Sequence, residues 1–204
     1  MQKDLLENIS SLKGRFAALF ALALCRRQKA NFLLWCSLDE KRKEMEQSFC
    51  KCFDYLSSIL QGSGTEKGFA ARREELKSLL DGTDDDGSFG AEMAADAVST
   101  LELGYEAFAE DNDDAALEAA NLCISATAAR VAVENPDMSD DETSSNELLI
   151  NETSVQVQLA SAVLNLSKIV GQKNFSAAQI KELLNASVPF GVSNIGLPDD
   201  PEDQ

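Results

Sequence analysis

Apolar residues recur along this chain at three- and four-residue spacings, the period of helices that each bury one face. The pattern predicts a short first helix over residues 3–13 and a long one over 15–38. Within the second, Phe16–Cys25 is an unbroken run of ten apolar residues, which Arg26 and Arg27 then interrupt. Ten is about half of the roughly 20 apolar residues that a membrane crossing needs, so the run is expected inside a protein core. A third helix is predicted over 40–60, with Met45, Phe49, Phe53, Leu56 and Leu60 inward, and a more charged fourth over 66–80. Ala94, Ala97, Val98, Leu101, Tyr105 and Phe108 mark a helix over 91–109; an Ala-rich helix follows over 113–134, stopped by Pro136. Ser139 with Glu142, and Ser176 with Gln179, are capping-box signatures that open later helices.

Only Val155–Leu159 alternates like a strand. The stripe Leu148, Val155, Leu159, Val163, Leu166, Val170 runs well past it, and a lone strand would have no partner, so a helix is expected. The fold class is therefore all-α: a single bundle-like domain of seven or eight helices over residues 1–197, with an acidic tail over 198–204.

Charge changes the picture. The chain of 204 residues carries a formal charge of −17, split into +4 over residues 1–80 and −21 over 81–204. Such a field repels phosphate backbones, which disfavours nucleic acid as a partner. A basic protein or a second copy of the chain remains as partner class, although a solubilising acidic surface accounts for the same charge. Histidine is absent altogether, so Ser-His-Asp and Cys-His pairs and His-containing zinc sites are excluded.

The five cysteines (Cys25, Cys36, Cys50, Cys52, Cys123) lie on helix-like segments rather than in paired knuckles. They read as reduced, buried thiols of a cytoplasmic protein, with no metal site. The acidic loop Asp81–Gly87 fails as a calcium loop because Asp86 stands where the turn needs glycine. Gly62, Gly64 and Gly68 lack the Lys-Ser/Thr ending of a phosphate loop, and no cofactor is implied. Asp96 stands near the apolar stripe of its helix, where a carboxylate is either paired or has its ionisation disfavoured. An edge residue bonded to an arginine or to backbone amides is the plainer expectation.

Cys25, Arg27, Asn31, Phe32, Trp35 and Cys36 form a Cys-x-Arg-x-x-x-Asn-aromatic-x-x-aromatic-Cys segment. Three further segments follow in order: Phe89-Gly90 with Ala94, Asp96 and Ala97; Met138–Glu142; and Ser193–Gly196. Together they resemble the YjaG-like family of uncharacterised bacterial proteins (domain of unknown function family 416), with Ala30 where that pattern has proline. The resemblance implies an all-helical cytoplasmic protein, supplies no activity, and points to Asn31, Asp96 and Asn194 as candidate functional positions. The sequence thus favours a helical interaction or scaffold protein over its alternative, a histidine-free enzyme or small-molecule binder that works through carboxylates and amides.

Overall fold

The computed structural model describes residues 7–83, 87–171 and 173–198. Among these, a helical turn at residues 7–10 is followed by eight α-helices: α1 (Gly14–Ser37), α2 (Lys43–Leu60), α3 (Glu66–Thr83), α4 (Phe89–Ala109), α5 (Ala115–Glu134), α6 (Asp140–Ser144), α7 (Glu147–Val170) and α8 (Ala177–Ala186). Short 3-10 turns occupy Glu40–Arg42 and Pro189–Gly191. Among the described residues no strand forms, and the one isolated bridge joins Val192 to Pro198. The architecture is all-α, as the pattern predicts. Parts of the expected first helix, acidic loop and tail (residues 3–6, 84–86 and 199–204) lie outside the described residues.

Helix α1 is the axis of the fold. Ala17–Cys25 is buried at nine consecutive positions, a run that only a helix enclosed on all sides can hide. Helices α2, α4, α5, α7 and α8 all pack on it. The closest approach is to α4, where small residues line both surfaces. A side chain at Gly104 would place its Cβ 2.7 Å from Leu56 Cδ2 and 3.6 Å from both the Ala18 carbonyl and Ala21. The Tyr105 hydroxyl, buried at the α4–α2 contact, donates to the Cys52 carbonyl at 2.7 Å. Phe32 stacks on Phe49 with ring centroids 4.3 Å apart.

Both predicted capping boxes are formed, Ser139 with Glu142 at α6 and Ser176 with Gln179 at α8. Val155–Leu159 is helical within α7, with Val155, Gln156 and Leu159 buried. Two boundaries differ from expectation. Asp39 accepts from the Lys41 amide and caps a separate 3-10 turn ahead of α2. Helix α3 continues to Thr83 because Leu76, Leu79 and Thr83 extend its buried stripe. Among the described residues, α5 is long and apolar enough by composition to cross a membrane. Its Ala115, Ala116, Ala119, Ala120 and Cys123 are buried in the common core, as in a core helix of the same composition.

Candidate functional site

The apolar axis turns polar over its second half. Successive turns of α1 carry Arg27, Gln28 and Asn31, all buried. Each is met by a group from a different part of the chain, which makes this stretch the polar centre of the fold.

Arg27 forms an ion pair with Glu152 of α7, whose side chain is fully buried. The same guanidinium donates through Nη1 to the carbonyls of Ser187 (3.1 Å) and Val192 (3.5 Å). Gln156 Nε2, one turn along α7, donates to Glu152 Oε1 at 2.9 Å and to the Ala120 carbonyl at 3.1 Å. Gln28 Nε2 donates to Thr100 Oγ1 at 2.8 Å and to Cys123 Sγ at 3.0 Å. Two opposite charges thus share a dry interior with hydrogen bonds on both partners, the condition under which a buried pair is tolerated.

Asn31 Nδ2 donates to Asn194 Oδ1 at 2.9 Å. Asn194 sits in the Ser193–Gly196 turn, which is pressed into the core: its own amide donates to the Arg27 carbonyl at 3.3 Å. The turn is closed by Ser193 N–H to the Leu197 carbonyl at 2.8 Å, and by a left-handed Gly196 at φ 81°. Two of the three sequence candidates therefore touch, although they lie far apart along the chain. The third, Asp96, does not join them.

Asp96 is half-buried on α4. Burial, with the Glu92 carboxylate beside it, pushes its carboxyl up to about 6. The expected arginine or amide partner is not found: among the described residues it makes no hydrogen bond or ion pair. Disfavoured ionisation is what the structure chooses for it.

Beside Asn31 lies a cavity of about 140 Å³ between the end of α1, the start of α4, α5 and the 193–197 turn. Trp35, Phe89, Met93 and Ile195 supply apolar walls, and Arg130 closes one side. Three of the four segments that carry the family resemblance contribute to it. A second cavity of about 280 Å³ borders Arg27, Val155, Asn151 and the Pro189–Gly191 turn. On its rim Phe190 is 99 % exposed and holds a left-handed φ of 61°.

The buried thiols are held in their neutral form. Burial pushes those of Cys36 and Cys52 up to about 12 and raises those of Cys25 and Cys123 strongly, so all four are neutral near pH 7. Among the described residues no three cysteine or carboxylate side chains gather as a metal site would need.

Sequence reasoning did not assign roles to Glu152, Gln28, Gln156, Thr127 or Arg130. Glu152 had a signal: it lies on the apolar stripe of α7 between Leu148 and Val155. Arg130 had another, being the sole Lys or Arg between residues 81 and 167.

An all-helical body built around one buried axis with a polar centre is the class of protein that fold and site define. The chain belongs to the protein family of unknown function DUF416, whose profile matches residues 4–198. An uncharacterised protein of Haemophilus influenzae is 26 % identical over 201 residues, covering 97 % of this chain and 98 % of that one. The crystal structure of a DUF416 family protein from Shewanella baltica superposes with a TM-score of 0.74 at 20 % identity, covering 94 % of this chain and 97 % of the other. That likeness extends the fold to a solved relative. Family and relatives carry no assigned activity.

Proposed function

We propose that this chain is a cytoplasmic, non-catalytic helical interaction protein that docks a basic protein partner through the Pro189–Gly191 turn. The observation that carries the reading is Phe190. A bulky residue in the left-handed region costs on the order of 1–3 kcal/mol, and here the strain holds an aromatic ring wholly in solvent. The turn serves the fold by bringing the Ser187 and Val192 carbonyls to Arg27, but the ring itself stands in solvent, so a role for the ring is sought outside the chain. The cavity behind the ring offers a seat for a partner side chain beside it.

Charge supports the choice of partner. From Glu134 to Gln158, the segment that contributes the α7 wall of this cavity, there are seven carboxylates and no Lys or Arg. An aromatic anchor on a chain of net charge −17 matches a basic face with an apolar pocket. The buried neutral thiols favour a reducing compartment.

Phe190→Gly tests the reading, because glycine adopts a left-handed backbone without strain. The variant should be as stable as the parent, or up to about 1 kcal/mol more so, in urea denaturation. A partner isolated with the parent chain, identified and purified, should be basic and bind the variant at least about tenfold more weakly. Its affinity should also fall from about 50 to 500 mM salt. Equal binding of the variant, or a salt-insensitive acidic partner, overturns the proposal; binding by a second copy would assign the turn to self-association instead.

A further inference from the structure

The cavity behind Phe190 carries a second inference, which rests on the reading of that ring as an anchor and concerns the form in which the partner meets it. One wall is α7, and three of its residues line the cavity: Asn151, Ser154 and Gln158. Spacings of three and four residues put them on one helix face, and all three are exposed. Gln158 Nε2 donates to Ser154 Oγ over a long 3.4 Å, and the Asn151 side chain makes no hydrogen bond among the described residues. Both amides therefore have donor and acceptor capacity to spare.

What this helix lacks is charge. At the chain's 26 % charged residues, a stretch of 20 would carry about five; residues 148–167 carry one, Glu152, which is buried against Arg27. A solvated helix face ordinarily carries charges. They are depleted where a surface is to be covered, because each must be stripped of its water, whereas an amide or hydroxyl exchanges one hydrogen bond for another.

Size selects the form of the occupant. A single helical turn with its side chains fills over about 400 Å³, more than the cavity's volume of about 280 Å³, and a helix has already paired its backbone groups internally. An extended chain keeps a free N–H and C=O at each residue. Asn151 and Gln158 are about 10.5 Å apart along α7, the span of about three extended residues. A side-chain amide, with one donor edge and one acceptor edge, matches a peptide group. Leu148, Val155 and Val192 give the cavity an apolar lining, and its one charged residue, Arg27, is neutralised by Glu152. The inserted side chain is therefore apolar, while basic flanks answer the net charge of −17 at longer range.

We propose that the partner docks here as an extended peptide segment whose main chain is held by Asn151 and Gln158. One apolar side chain fills the cavity beside Phe190, and basic residues flank it.

A phage-displayed library of random dodecapeptides is panned on the full-length protein, and the enriched peptides are resynthesised and titrated by fluorescence polarisation. The expected consensus is one large apolar residue with Lys or Arg on either side. N-methylation of a single peptide bond beside that residue removes one main-chain donor and is expected to weaken binding at least about tenfold. Asn151→Ala and Gln158→Ala, at exposed helix positions that accept alanine, are each expected to weaken it about threefold or more. No enriched peptide, an acidic consensus, or binding indifferent to N-methylation and to both variants overturns the proposal. The N-methyl comparison uses the unaltered protein, so it stands if a variant misfolds. Phe190→Gly separates the two readings. Peptides that respond to N-methylation and to Asn151→Ala yet bind Phe190→Gly equally uphold the main-chain grip and overturn the anchor; peptides weakened by Phe190→Gly alone do the reverse.

Discussion

Arg27 and Asn31 lie one turn apart on the same helix and are equally hidden from water, yet their surroundings differ in kind. Around Arg27 the buried charges are matched: the guanidinium has Glu152 and two carbonyls, and Glu152 has Gln156 besides. Around Asn31 the network is neutral: its Nδ2 donates to Asn194 Oδ1, and its own oxygen has no partner among the described residues. A polar group buried to hold a fold together is enclosed by partners from the chain itself. A neutral amide with one edge unanswered costs less than a charge left bare, so a neutral network tolerates what a charged one does not. Polar burial alone therefore does not identify a functional residue.

Glu152→Ala is the severest way to break this contrast. It strands the Arg27 charge in the core and should lower stability by about 3–5 kcal/mol in urea denaturation. Replacing both partners with apolar residues, Arg27→Met with Glu152→Leu, should recover most of that loss. A single-variant cost under about 1 kcal/mol, the range of exposed pairs, would mean that Arg27 escapes to water, and would erase the distinction.

Asp96 supplies an intermediate case, half-buried and unpartnered. With a folded pKa of about 6 against about 3.9 unfolded, it binds its proton more tightly in the folded state. Its favourable contribution is complete below about pH 4 and is lost as pH rises through 6. Asp96→Asn should therefore raise stability at pH 7, by about 1 kcal/mol after allowing for partial exposure, and flatten the pH dependence between 4 and 6. An unchanged pH profile would show that the carboxyl titrates as if in water.

The smallest effect sharpens the comparison most. Arg130→Met removes an Nε donor that has no partner among the described residues, together with a surface pairing to Glu134, and should change stability by less than about 0.5 kcal/mol. A loss of about 2 kcal/mol or more, the range for breaking a hydrogen bond to a charged group, would mean that the guanidinium holds the fold together as Arg27 does.

The helical stripes and capping boxes were legible because each is written within a few residues. The burial of Ala17–Cys25 was legible too, since ten apolar residues in a row leave a helix no polar face. Partner choice was not. Asp96 and Glu152 each interrupt an apolar stripe, and only the tertiary arrangement gives Glu152 an arginine 125 residues away while leaving Asp96 without one. Asn31 and Asn194 were both singled out through the family resemblance. That they touch is set by how the Ser193–Gly196 turn enters the core, which no local pattern records. The chain segment from Glu134 to Gln158 was legible as acidic, whereas the strained Phe190 beside it had no signature: Pro-Phe-Gly reads as an ordinary turn.

The entry of that turn into the core also sets an order of events during synthesis. Arg27 and Asn31 are made first, and the carbonyls of Ser187 and Val192 that complete the Arg27 shell follow 160 and 165 residues later. Until then a nascent chain carries an arginine and an asparagine in the helix at the axis of its fold with their bonds unmade. The helical scaffold can gather around α1 beforehand, but its centre locks only when the segment near residue 194 arrives, so the axis is sealed by a segment made long after it.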